Sequence, residues 1–463
     1  MPRISTKPLR KIYAYFDSDI LSGRQMMAIY LPLAGEQLFH SIVGLLSTWM
    51  LAGVGEAAVS AVSMINVSNQ LFIQACVAFG VGATVVVAQY TGAGNARYAS
   101  RTLQQAIFVS FTIGLAVGAV MIMARVPAVN FFLAGAPREV IDLALIYFTG
   151  VSVSLPLLGV NQAFSGSMRG LGQTKVAMLL SMTTVCLELI FSASFVLGLK
   201  MGVTGVTLSI LASRAIGVCF VVTYLRRYRR EFGVNIKDFF HPIWLILRGL
   251  VIVSVPVALE QVFFSSGKAL TQRYIASYGT AHMTANAVSS VIQGIGIGPA
   301  SALSSVAMTI VGRCIGREQV DLAKTYTRKL SRVSVIMIGA SIIPIIPLTV
   351  FINHIYNVSP EVTRLVVISL IVYFTGTPFL FAGSFITPNA LRAGGDAMYT
   401  SVVALCSMWA VRVLLAYLFT RVFAWGVVGV IAAMVLEWTT RGLLFTIRFN
   451  GDKWYRHKVI IRD

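Results

Sequence analysis

The chain alternates stretches of twenty or more mainly apolar residues with short segments rich in charge, glycine or proline. A helix needs about 20 mainly apolar residues to cross the hydrocarbon core of a bilayer, so each such stretch predicts a transmembrane helix. Twelve are predicted, at residues 27–52, 59–87, 102–124, 140–165, 176–198, 202–225, 249–275, 283–311, 333–353, 361–388, 399–420 and 426–447. The basic, polar stretch up to Gln25 followed by a full-length span argues against a cleavable leader.

The segments between these spans give the orientation. Counted alternately from the N-terminus, one set holds 27 of the 37 Lys and Arg, while the other side holds Arg125, Arg138, Lys200, Arg364 (near a span start) and Arg421. By the positive-inside rule both termini are expected in the cytoplasm. The run Arg226, Arg227, Arg229, Arg230 then reads as a topology determinant beside anionic lipid, and no nucleic-acid partner is implied.

The two halves of the chain resemble each other. Residues 32–99 align without a gap on 256–323, at an offset of 224, with 18 identities in 68 positions. Pro32 to Phe39 (PLAGEQLF) matches Pro256 to Phe263 (PVALEQVF), and Gly202-Val203-Thr204-Gly205-Val206 matches Gly426-Val427-Val428-Gly429-Val430. Six spans per repeat give both halves the same orientation, hence a pseudo-two-fold axis along the membrane normal. The expected organisation is an N-terminal segment (1–26), an N-lobe (27–225), a linker (226–248), a C-lobe (249–447) and a tail (448–463): an all-α integral membrane protein of two six-helix lobes around a central cavity.

Composition agrees and narrows the classes. Charged residues make up 12% of the chain against roughly 25% in soluble domains, hydrophobic residues make up 57%, and mean hydropathy is +0.79. Cys76, Cys186, Cys219, Cys314 and Cys406 show neither a disulfide framework nor metal-ligand spacing, so no metal is expected. The five scattered histidines offer no catalytic cluster, so the chain is not expected to be an enzyme. Neither a phosphate-binding loop nor any other cofactor motif is present, which leaves an ion gradient as the energy source for any transport.

Several motifs carry a family resemblance. They are the Pro-initiated first span of each half, the loop Gln89-Tyr90-Thr91-Gly92-Ala93-Gly94-Asn95, the loop Arg169-Gly170-Leu171-Gly172-Gln173-Thr174 with its partner Arg392-Ala393-Gly394-Gly395-Asp396, and the Gly-Val-x-Gly-Val starts of the sixth and twelfth spans. In this order the chain resembles the multidrug and toxic compound extrusion (MATE) transporters, of the wider group that includes lipid-linked oligosaccharide flippases. The resemblance implies two lobes forming a V-shaped cavity, alternating access, and export of drug-like cationic or amphiphilic compounds against inward proton or sodium flow. A monomer in the cytoplasmic membrane is expected, with a flippase for a lipid-linked precursor as the alternative. Many prokaryotic members carry a first-helix aspartate where this chain has Ser47, so the coupling carboxylate is sought elsewhere.

Charges inside the spans are costly, roughly 2.5–3.5 kcal/mol each on insertion scales, which makes each a functional candidate. Glu260, Glu188 and Glu36 are the candidates for cation coupling. Glu36 and Glu260 are repeat mates, and either could instead brace the backbone near Pro32 or Pro256. Glu188 stands at what resembles the family's polar fifth-helix position, and its mate at the same offset is Arg412. The two could pair across the cleft, Arg412 could hold an anionic substrate group, or each could serve its own lobe. Gln37, Gln70, Asn161, Gln261, Gln293 and Arg412 are the expected cavity residues, although interhelical hydrogen bonding suits the uncharged ones equally well. The glycines of Gln293-Gly294-Ile295-Gly296-Ile297-Gly298-Pro299 predict a kink or unwound point in the eighth span. Isolated glutamates favour proton over sodium coupling, since sodium needs several converging oxygens.

Overall fold

The computed structural model describes residues 14–17, 22–52, 56–132, 137–228, 242–350, 358–457 and 459–460. It is all-α, with no strand among the described residues. In chain order the helices are α1 (Gly23–Ala52), α2 (Glu56–Gly92), α3 (Ala96–Met123), the short α4 (Arg125–Phe132), α5 (Arg138–Gly170), α6 (Thr174–Gly198), α7 (Gly202–Arg227), α8 (Trp244–Ala276), α9 (Thr280–Gly316), α10 (Val320–Val350), α11 (Pro360–Ala393), α12 (Ala397–Arg421) and α13 (Gly426–Asn450). Ten are long and apolar enough to cross a membrane, and α1 and α10 fall on the first and ninth expected spans.

Two departures from the expected elements have simple causes. α4 is an additional short helix after the third span, where only a loop was expected. α10 begins at Val320, well before the expected 333, because a helix requires backbone hydrogen bonds and not apolar side chains, so it extends through the basic turns at its start. The duplication already implied that start, since Ala96 opens α3 exactly one repeat length earlier. Glu56 and Thr280 stand in the same relation, as do Gly202 and Gly426.

The repeat extends to the turns. After α2, α5, α9 and α11 the chain closes with an N–H bonding five residues back: Asn95 to Tyr90 (3.0 Å), Gln173 to Met168 (2.8 Å), Gln319 to Cys314 (2.9 Å) and Asp396 to Leu391 (3.0 Å). This closure requires a left-handed residue just past the helix, supplied by Gly94, Gly172, Glu318 and Gly395. Three of the four are the glycines of the motif loops. Lys200 and Ala424, again 224 apart, share a positive φ of 54° before α7 and α13.

By contacts the chain forms two compact units. One comprises residues 1–38 and 263–458, the other residues 39–262 and 459–463. The divisions fall at Leu38/Phe39 in α1 and Val262/Phe263 in α8, which are repeat-equivalent positions. Relative to the expected lobes, the units exchange the first halves of these two helices.

Within the second unit, α2, α3 and α5 approach so closely that glycine is obligatory. A Cβ on Gly166 would lie 2.0 Å from the carbonyl oxygen of Gly80, and one on Gly159 2.5 Å from that of Ser110. Thr84 Oγ1 bridges the contact, donating toward the carbonyls of Gly80 and Gly166 at 2.9 Å each. Small residues and hydroxyl bridges of this kind hold helices together where lipid removes the hydrophobic drive. In the first unit the tail folds back on α13: Trp454 is fully buried, its Nε1 donates to Phe449 O at 3.0 Å, and its ring covers Gly394.

Candidate functional site

Among the described residues, two groups of intramembrane charges stand out, one in each unit. In the second unit Glu188 (α6) lies within electrostatic reach of Arg214 (α7) and Tyr147 (α5), with Cys76 of α2 also near the guanidinium. Arg214 is fixed at several points. Its Nη1 donates to Ser154 Oγ on α5, and the carbonyl of the same residue accepts a 3.2 Å bond from Asn161 Nδ2. Gly217, one turn on, leaves room for the Asn161 amide and Thr184 Oγ1. Helices α5, α6 and α7 thus bring one carboxylate and one guanidinium within electrostatic reach of each other.

The first unit holds a different arrangement. Arg412 lies in a π-helical stretch of α12, Ser407–Val413, where the wider turn interrupts the regular helix. Around it stand Glu437 and Arg441 of α13, Tyr373 of α11 and Lys268 of α8. Glu437 and Arg441 form an ion pair of 3.2 Å across one helical turn, both side chains buried. Arg441 also lies over the Phe385 ring at 4.6 Å, and Arg412 over Phe264 at 5.8 Å.

The candidate residues therefore separate. Glu188, Asn161, Gln70, Glu260 and Gln261 belong to the second unit, and Glu36, Gln37, Gln293 and Arg412 to the first. Glu36 and Glu260 are both buried, at 5% and 8% exposure, in proline-containing but continuous helices. Gln37 and Gln70 are exposed, and Gln261 and Gln293 half-buried. Asn161 serves as an interhelical hydrogen bond to the α7 backbone. Glu188 and Arg412 each find charged neighbours within their own unit. The side chain of Ser47 lies outside the described set.

The unwound point expected at Gly294 to Pro299 is not observed, because α9 remains helical from Thr280 to Gly316. Gly296 instead makes room for a neighbour, since a Cβ there would meet the Phe374 ring at 2.7 Å, and its carbonyl accepts from Ser341 Oγ at 2.7 Å. In the sequence Arg214 and Arg441 stand near the ends of their apolar stretches. The i,i+4 spacing of Glu437 and Arg441 was the one available signal for their pairing.

A duplicated bundle of apolar helices with sparse, clustered charges in its membrane interior defines a class, the membrane transporters. The family follows from comparison: the MatE family model matches residues 32–194 and again 256–418, ranges displaced by 224 residues, and the chain belongs to that family. It is 25% identical over 433 residues to the uncharacterized transporter YisQ of Bacillus subtilis, spanning 91% of this chain and 93% of that protein. It is 24% identical over 451 residues to the probable multidrug resistance protein NorM of Thermotoga maritima, spanning 95% of each. Among solved structures, a MATE protein in a straight conformation superposes with a TM-score of 0.82 at 19% identity, covering 92% of this chain and 96% of that one. A MOP superfamily transporter from Pyrococcus furiosus, described as having a binding pocket of reverse polarity, also gives 0.82 at 18% identity, covering 92% and 94%. The chain is a multi-pass membrane transporter and not an enzyme family member; the flippase alternative finds no support among these relatives.

Proposed function

We propose that this protein is a secondary active exporter of small organic amphiphiles in the cytoplasmic membrane, driven by inward proton flow through alternating access, and monomeric. The multidrug-resistance names of its relatives support the substrate range, and the 27-to-5 basic asymmetry supports cytoplasmic termini. The observation that carries the coupling reading is the set of intramembrane carboxylates. Glu188 lies within electrostatic reach of the Arg214 guanidinium, which can balance its charge without a proton. Glu260 and Glu36, buried one residue before the exposed or half-buried Gln261 and Gln37, are the better proton carriers, with Glu260 first. A single glutamate changes charge by binding one proton, and binding of that proton can be exclusive with binding of substrate.

Transport into inside-out vesicles, with proton and sodium gradients imposed separately, tests this. A pH gradient alone should drive uptake, and Glu260→Gln, which keeps shape but cannot titrate, should lower the rate at least about tenfold while substrate binding persists. Full transport on a sodium gradient alone, or wild-type rate in the variant, would overturn the assignment. Cationic amphiphiles, expected from the resemblance, form the first arm of the substrate panel.

A further inference from the structure

We propose that the interior of the first unit, around Arg412, binds an anionic group of the transported molecule: a carboxylate, sulfonate or phosphate carried on an aromatic or apolar body. This rests on the exporter reading above and specifies its substrate class.

The argument begins with charge balance. Arg412 is 93% buried, and the described charges within its electrostatic reach are Arg441, Lys268 and the carboxylate of Glu437. That carboxylate lies 3.2 Å from Arg441 Nε. Arg412 Nε has no hydrogen-bond acceptor, and the Phe264 ring at 5.8 Å offers only a weak cation–π contact. Of these described charges around Arg412, two are cations and one is a carboxylate, in a membrane interior where an unbalanced charge is expensive. The repeat sharpens the contrast, because the equivalent place in the other half holds the carboxylate of Glu188, with the Arg214 guanidinium in electrostatic reach. At the same position of a duplicated bundle, one half carries a carboxylate and the other a guanidinium.

A guanidinium with an open Nε is suited to planar oxyanions, which it binds through paired N–H donors. Lys268 gives the cluster a way out: it is exposed, as is Phe263 on the same helix, yet its charge interacts with that of Arg412. Phe264 and Tyr373 supply apolar surface next to the guanidinium. The π-helical stretch places Arg412 where a regular helix would turn it elsewhere, and such bulges recur at functional sites. Lys268 would attract the anion first, and Arg412 would then hold it.

The test uses the full-length protein in phosphatidylcholine vesicles and a matched fluorescent pair, dansylglycine (anionic) and a dansyl-alkylamine (cationic). The expected result is transport of dansylglycine at least about tenfold faster than the amine. Arg412→Gln should lose that preference, Arg412→Lys should keep part of it, and Lys268→Gln, at an exposed position, should raise the concentration needed for half-maximal rate several-fold with the maximal rate retained. Thermal melting of each variant identifies any that fails to fold, and Lys268→Gln keeps the test decisive if Arg412→Gln does. Transport of the amine alone, unaffected by Arg412→Gln or Lys268→Gln, would overturn the anion site and leave the exporter reading standing. No transport of either probe or of the wider panel would overturn the exporter reading and this proposal with it. Phosphatidylglycerol arms separate a lipid headgroup from a solute: if added phosphatidylglycerol, and not dansylglycine, stabilises wild type but not Arg412→Gln, the occupant is lipid and the proposal fails.

Discussion

Glu188 and Arg214 show what a single charged pair does in an apolar bundle. Arg214 ties α7 to α5 through Ser154 and Asn161, and Glu188 brings α6 to the same point. Arg214→Leu loses the bond to Ser154 and leaves Glu188 without its balancing charge, so it should destabilise the protein by about 1–3 kcal/mol, and Glu188→Gln by a smaller amount. The double variant should recover part of that loss, with a coupling energy of about 1–3 kcal/mol. A thermal or denaturant unfolding cycle over the four proteins measures it, and strict additivity would show that the pair is not coupled. Neither residue announced this partnership in the sequence. They are separated by 26 positions and by the turn at Lys200, so only the packing of α6 on α7 brings them together.

At the scale of helices, the contact of α2 with α5 is governed by glycine. Gly166→Ala puts a methyl 2.0 Å from the Gly80 carbonyl, so the helices must separate and lose the Thr84 bridge, at a cost of about 1–3 kcal/mol. Gly198 ends the π-helical turn of α6 with nothing within 4 Å of an added Cβ, so Gly198→Ala should leave the melting temperature within a degree or two of wild type. Equal effects of the two changes would remove close approach as the explanation. Both residues read as apolar-stretch glycines in the sequence. What distinguishes them is the Gly80 backbone, 86 residues from Gly166, which no local pattern encodes. By contrast, Gly94, Gly172 and Gly395 were legible as turn glycines, because a left-handed residue past a helix end is a local requirement.

At the scale of the whole chain, the alternation of basic and non-basic segments makes orientation testable. In a background without native cysteines, Gln319→Cys in the turn after α9 and Arg138→Cys at the start of α5 are both exposed. A membrane-impermeant maleimide should label the first only from the cytoplasmic side and the second only from outside. Labelling of both from one side would overturn the orientation. The prediction belongs to this scale because no single segment decides it; the excess of Lys and Arg is a property of all of them together.

Helix number, duplication and turn positions follow from local rules acting on this sequence. Hydrocarbon demands long apolar runs, a repeat of 224 residues imposes equivalent starts at Glu56 and Thr280, and helix ends demand left-handed residues. The candidate carboxylates were legible too, because any charge in an apolar run stands out. Tertiary structure alone decided their company. It brought Glu188 within electrostatic reach of Arg214 and Arg412 within reach of Arg441, Lys268 and Glu437, kept α9 wound through Gly294 to Pro299, and divided the contact units at Leu38/Phe39 and Val262/Phe263 rather than in the linker. The physical reason is that periodicity and propensity act over a few residues, whereas the balance of a buried charge depends on every helix packed against it.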